Sequence, residues 1–140
     1  MPLRLKALVW ILRPGARGAP EVLLLERPAQ RGGGLHPVTG KADADETPQE
    51  TAAREAEEET GLTGPIADLA YEHSFTDARG RRQREVAFLL RASPKSEARL
   101  SSEHVASRWV SPDAAREAVE WPAHREALLR ALAAWSNANE

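Results

Sequence analysis

The chain has 140 residues, with 19 Lys and Arg against 21 Asp and Glu, a formal net charge of −2, 41% hydrophobic and 29% charged residues, and no cysteine. This length predicts a single domain over residues 1–140, able to bury roughly two-thirds of the surface that its unfolded form exposes. Disulfide frameworks, thiol catalysis and cysteine zinc sites are excluded, and the near-neutral charge argues against a protein that coats a nucleic-acid polymer. The longest apolar run, Ala7 to Leu12, falls far short of the roughly 20 residues that span a bilayer, so no membrane partner and a cytoplasmic location are expected.

Arg4 and Lys6 precede that run, but Arg13, Pro14 and Arg17 follow it where a signal peptide would place small residues at a cleavage site. It reads instead as a strand, alternating at Leu3, Leu5 and Ala7 and then apolar on both faces, as a strand inside a sheet is. Pro14-Gly15 and Gly18-Ala19-Pro20 mark a turn, and Val22 to Leu25 forms a second strand, so the two make a hairpin. Arg31-Gly32-Gly33-Gly34 is a flexible loop, and Val38-Thr39-Gly40 leads into an acidic segment. A helix starts at Thr47, which caps it; Pro48 suits the first helical position and Glu50 completes a capping box, and Gly61 ends it. Ile66 to Tyr71 and Val86 to Leu90 are strands separated by a charged hairpin turn, Thr76 to Arg82. Val105 to Val110 is a further short strand. Ser111-Pro112-Asp113 opens a short helix, and after Trp121-Pro122 a final helix places Leu128, Leu132 and Trp135 on one face. Trp10 and Trp109 are assigned to packing, and Trp121 and Trp135 to anchoring the last helix or to a dimer contact. Strands and helices mix without βαβ alternation, which predicts an α+β domain.

The charge is unevenly placed. Residues 40–62 hold eight acids against Lys41 and Arg54, a net of −6 that leaves +4 on the rest of the chain. By composition alone, a solvated acidic helix is the commoner outcome. At about 100° per residue, however, Glu55, Glu58 and Glu59 share one face, and Ala52, Ala53, Ala56 and Thr60 form an adjoining inward stripe. Like charges at these spacings cost a helix a few tenths of a kcal/mol per pair, a conflict that a divalent cation removes. Clustered Glu without His or Cys points to magnesium or manganese rather than zinc.

The same segment carries a resemblance. Gly40, Glu46, Arg54-Glu55, apolar Ala56, Glu58-Glu59, Gly61 and apolar Leu62 stand at every specified spacing of the box that defines the Nudix family, and the flanking strands and last helix extend the likeness over nearly the whole chain. The resemblance implies a Nudix fold, an α/β/α sandwich around a mixed sheet, and hydrolysis of a nucleoside diphosphate linked to another group. It implies Glu55, Glu58 and Glu59 as metal ligands, Glu55 also as a base, and the Gly40 carbonyl as a further ligand, with Mg²⁺ as cofactor and Mn²⁺ as a substitute. It implies Glu46 and Arg54 as structural support, joined by a charge-assisted hydrogen bond. Glu50 and Glu57 point elsewhere and are assigned to solvent. Several members of the family place the base on a loop before a late strand, where Glu103 stands here, either as a ligand or base or as an ordinary loop residue.

Around Leu35-His36-Pro37-Val38-Thr39-Gly40 and Glu103-His104-Val105-Ala106-Ser107-Arg108-Trp109-Val110, the chain is similar to the bacterial dihydroneopterin triphosphate pyrophosphatase branch of the family. Leu35 stands where that branch usually shows an aromatic residue. The implied substrate is a small nucleotide or pterin triphosphate, cleaved with release of pyrophosphate. The alternatives are a diadenosine polyphosphate or ADP-ribose hydrolase, and a catalytically silent nucleotide-binding module. His36, Lys41, Arg81 and Tyr71 are the candidate substrate contacts, and a monomer or homodimer is expected.

Overall fold

The computed structural model describes residues 3–138, with the side chain of Ala138 outside the description. Strands β1 (Arg4–Pro14) and β2 (Pro20–Glu26) form the expected hairpin, then part, and the two short strands β3 (Leu35–His36) and β4 (Val38–Lys41) fill the fork between them. β3 pairs with β2, setting His36 opposite Leu25, and β4 pairs with β1, setting Gly40 opposite Ala7. After helix α1 (Pro48–Thr60), strands β5 (Ile66–Thr76) and β6 (Arg82–Arg91) form a second hairpin, and β6 runs parallel to β1. β7 (Ala106–Val110) pairs with the free edge of β2, and helices α2 (Pro112–Ala118) and α3 (Pro122–Ala138) close the chain. The result is one mixed seven-stranded sheet with helices on both faces, an α+β arrangement.

Side-chain alternation along β1 divides the core. Leu8, Trp10 and Leu12 join Val22, Leu24, Ala87 and Leu89 beneath α2 and α3, where Ala115, Val119, Leu128 and Trp135 are buried. Ala7, Val9 and Ile11 join Leu23, Leu25, Phe88 and Leu90 beneath Ala52 and Ala56 of α1. Burying such a side chain stabilises by about 1.5–3 kcal/mol, and small residues on α1 bring that helix close to the sheet. The expected capping box is present: Glu50 N–H donates to Thr47 Oγ1 at 3.1 Å, Thr47 N–H to Glu50 Oε1 at 2.9 Å.

Several expectations are corrected. β5 and β6 extend to Thr76 and back to Arg82, beyond the apolar runs that announced them, and β5 carries a bulge between Asp68 and Glu72. Ala70 takes a left-handed φ of 54° there, and its N–H donates to Asp68 Oδ1 at 2.8 Å. β7 begins at Ala106 rather than Val105, which is 59% exposed. Ala53 faces solvent; Thr51 is buried instead, its hydroxyl donating to Glu46 Oε1 at 2.8 Å. Trp135 is buried, but Trp121 is 65% exposed. The position under the start of α3 belongs to Trp10, whose indole N–H donates to the His124 carbonyl at 3.0 Å. Among the described residues, no helix is long and apolar enough to cross a membrane.

Candidate active site

The segment between β4 and α1 is organised by one guanidinium. Arg54 donates to Glu46 through Nε at 2.7 Å and Nη2 at 2.9 Å, a two-pronged fork, and its Nη2 also reaches the Lys41 carbonyl at 2.8 Å. Glu46 further accepts from the Asp43 N–H at 2.9 Å and the Thr51 hydroxyl. Arg54 holds the Glu46 carboxyl down to about 2, and Glu46 raises the already high Arg54 in return. The fork fixes the turn that delivers Gly40 and the first turn of α1 to one place.

Glu55, Glu58 and Glu59 stand on the α1 face beyond this fork, in three environments. Glu55 lies against Gly40 of β4, where a Cβ would overlap its carboxyl group, so only glycine leaves it room. Its carboxyl is raised above the usual range, first by burial. Glu58 is exposed. Glu59 is only 4% exposed, its Oε2 has no hydrogen-bond partner, and burial followed by the facing Glu103 pushes its carboxyl up to about 9. Glu103 comes from the loop before β7, held by Ser101 N–H to the Glu59 carbonyl at 3.2 Å and Val105 N–H to the Glu26 carbonyl at 3.0 Å. A groove of about 200 Å³ is lined by Glu55, Glu58, Glu59, Ser101, Ser102 and Glu103.

Glu59 and Glu103 also wall a second cavity of about 220 Å³, completed by Arg27, Arg31, His36, Thr39 and His104. Neither arginine forms an ion pair among the described residues; Arg27 Nη2 makes only a 3.4 Å contact with Thr39 Oγ1. His36 and His104 are buried and face each other, Nε2 to Nε2 at 3.2 Å. Burial and then Arg27 lower His36 to about 3, and burial lowers His104. His36 is therefore a neutral ring, unsuited to act as a cation toward phosphate.

The remaining sequence candidates lie outside these linings. Arg81 Nε is tied to Asp77 Oδ2 at 2.8 Å within the β5–β6 turn. Tyr71 is half-buried on the α3 side of the sheet, with the Arg130 guanidinium 4.9 Å from its ring centre. Lys41 is an exposed residue of β4 opposite Lys6. Arg27, Arg31 and Thr39 were not among the sequence candidates. The only local signal for the arginines was a basic pair flanking the loop that follows β2.

A divalent cation is what this carboxylate set fits by chemistry: hard oxygen donors, an orphaned buried oxygen on Glu59, and a glycine clearance that seats Glu55. The donors do not converge fully. Among the described residues no three His, Asp or Glu side chains enclose a point where an ion would sit. The reason is Arg54, whose Nη1 spans Glu55 Oε1 at 2.9 Å and Glu58 Oε2 at 3.1 Å and so serves as their counterion. Exposed Glu58 is free to turn from it.

The family model for the NUDIX domain matches residues 2–131. An octanoyltransferase of Myxococcus xanthus is 39% identical over 115 residues, covering 80% of this chain and 32% of that protein, so the chain spans about a third of the relative's length. Among solved structures, an Ap4A hydrolase of C. elegans superposes with a TM-score of 0.82 at 22% identity, covering 96% of this chain and 99% of that one. The dihydroneopterin triphosphate pyrophosphohydrolase of E. coli superposes with a TM-score of 0.76 at 23% identity, again covering 96% and 99%. Those two likenesses are of fold; the family match covers nearly the whole chain and includes the α1 carboxylates. Hydrolases of this family generally use divalent metal ions. The chain belongs to the Nudix family.

Proposed function

We propose that the protein is a Mg²⁺-dependent pyrophosphohydrolase that cleaves a (deoxy)nucleoside triphosphate or dihydroneopterin triphosphate and releases pyrophosphate. The observation that carries this reading is the shared wall of Glu59 and Glu103, with two further carboxylates, Glu55 and Glu58, in the groove on one side and, on the other, two arginines without an ion pair among the described residues. Such a boundary suits a polyphosphate, which needs cations along its length and a carboxylate-held cation at the scissile phosphorus.

In this mechanism Glu55, Glu58 and Glu59 hold the cation, with the Gly40 carbonyl beside them. When bound, the cation neutralises phosphate oxygens and acidifies water in its shell. Arg27 and Arg31 hold the phosphates in the adjoining cavity and orient the chain for in-line attack. Water attacks one phosphorus, the bond from that phosphorus to the bridging oxygen breaks, and pyrophosphate departs. Glu103 or Glu55 accepts the proton that the water loses. The Glu46–Arg54 fork keeps these groups in place. His36 borders the phosphates as a neutral wall; Lys41, Arg81 and Tyr71 remain candidates for the portion of substrate that extends beyond the two cavities.

The test is hydrolysis of a panel containing dihydroneopterin triphosphate, dNTPs, diadenosine tetraphosphate and ADP-ribose, with Mg²⁺. Pyrophosphate release from one of the triphosphates, lost in Glu58→Gln with the fold intact, supports the reading. Preference for either of the last two substrates replaces it with the corresponding hydrolase, and binding without turnover across the panel replaces it with a ligand-binding module.

A further inference from the structure

We propose that His36 and His104 form a tautomer-locked imidazole pair whose role is to position Glu103 over the carboxylate groove. The proposal rests on the reading of Glu103 given above and adds the part of the fold that holds it there.

The lock follows from one carbonyl. His36 Nδ1 lies 2.6 Å from the Pro37 oxygen, which can only accept, so Nδ1 carries the hydrogen and Nε2 presents a lone pair. His104 Nε2 lies 3.2 Å from that lone pair and must donate. Any other neutral assignment sets the two Nε2 lone pairs against each other or turns a His36 Nδ1 lone pair toward the Pro37 carbonyl oxygen. The rings are 4% and 8% exposed, with centroids 4.9 Å apart and planes tilted by 38°. Arg27 and Arg31 line the same cavity, and their charge disfavours an imidazolium beside them. His104 Nδ1 is left as a buried lone pair without a partner, so the imidazole's one polar attachment is to His36.

That attachment matters because of where His104 sits. Of Ser101, Ser102, Glu103, His104 and Val105, only His104 is buried. The backbone bonds to Glu59 and Glu26 fix the two ends of the loop, and Glu103 N–H to Ser101 Oγ at 3.3 Å shapes its turn. The seat of the imidazole then sets the rotation of the turn about those ends. Glu103, one residue earlier, is thereby held on the groove that it lines together with Glu55, Glu58 and Glu59. His104 is a positioning residue in this account, acting through Glu103, and His36 is its anchor.

Two measurements test the pair. Long-range ¹⁵N–¹H correlation on the labelled wild-type protein reads the tautomers directly: Nδ1–H on His36 and Nε2–H on His104 support the lock, and any other assignment for either ring overturns it. Kinetics with Mg²⁺ and the preferred triphosphate then compare His104→Phe, which keeps the ring volume, with His104→Gln, whose amide N–H can replace the Nε2 donor. Misplacing a reacting group by about 1 Å can cost on the order of 100-fold, so His104→Phe is expected to lower kcat roughly 10- to 100-fold with KM little changed, and His104→Gln to recover most of the loss. In a Glu103→Gln background, His104→Phe is expected to cost nothing further. Wild-type kcat in His104→Phe, no recovery in His104→Gln, or an undiminished loss in the Glu103→Gln background overturns the proposal. Full turnover by Glu103→Gln alone removes the underlying reading of Glu103, and the positioning role with it, even where the tautomers are as expected; a failure of the lock shows instead in the tautomers.

Discussion

Lowering the pH of the metal-free protein from about 8 to about 5 is expected to remove about 2 kcal/mol of folding stability through His36 alone. The folded ring is held near 3, against an ordinary value of 6.5. As pH falls through 6.5 the unfolded chain takes up a proton that the folded ring refuses, so the stabilisation is complete above that point and declines by about 1.4 kcal/mol per pH unit below it. The loss approaches about 5 kcal/mol once the pH falls below 3. His104, lowered, and His124, lowered to about 4 by burial, act in the same direction. Glu59 acts oppositely: its carboxyl is raised to about 9, so its contribution is full below 4.5 and is lost as pH rises toward 9. Glu46, held near 2, loses its contribution only below 4.5, outside the window. Urea unfolding of wild type and His36→Leu at several pH values isolates the one ring. Their stability difference is expected to shift by about 2 kcal/mol between pH 8 and pH 5 at constant m-value. Parallel profiles would refute the claim that His36 is held neutral by its surroundings.

Three further outcomes follow from the geometry. Gly40→Ala puts a methyl group into the Glu55 carboxyl and is expected to weaken Mn²⁺ binding at least about tenfold, about 1.4 kcal/mol; unchanged affinity in a titration means that the clearance is irrelevant to the cation. Arg54→Lys replaces the fork to Glu46 by a single contact and leaves Glu55 and Glu58 poorly compensated. Its Tm is expected to fall in the metal-free protein and to recover in part when Mg²⁺ is added, and melts with and without the ion check this. Leu128→Ala empties a fully buried position beneath α3 and is expected to cost about 2–5 kcal/mol in urea unfolding, whereas less than about 1 kcal/mol would contradict the packing of that helix.

What the sequence disclosed was what local chemistry controls. Thr47, Pro48, Glu50 and Gly61 specify α1 within its own few residues, and the spacing of Glu55, Glu58 and Glu59 on that helix needs no knowledge of the rest of the chain. The β1–β2 and β5–β6 hairpins were announced by their turns. Long-range pairing was hidden. β3 has two residues and β4 four, so nothing periodic marks them, and their place in the fork between β1 and β2 depends on registers set elsewhere. The second cavity is assembled from the end of β2, the β3–β4 segment, α1 and the loop before β7, which explains why Arg27 and Arg31 escaped notice and why the pairing of His36 with His104 was hidden. The tie between Arg81 and Asp77 was hidden because the two become neighbours only when the turn folds. Of the two roles open to Trp121, anchoring the last helix falls away because Trp10 already fills that space, and its exposure leaves the dimer contact untested.

The central claim is that the α1 carboxylates form a divalent-cation site in place of the Arg54 contact that now joins Glu55 and Glu58. Electron paramagnetic resonance of Mn²⁺ titrated into the wild-type protein and into Glu58→Gln tests it most directly. Saturable binding is expected of the wild type, displaced by Mg²⁺ and weakened at least about tenfold in the variant. Equal binding by both proteins, or none by the wild type even with a non-hydrolysable triphosphate present, would contradict it.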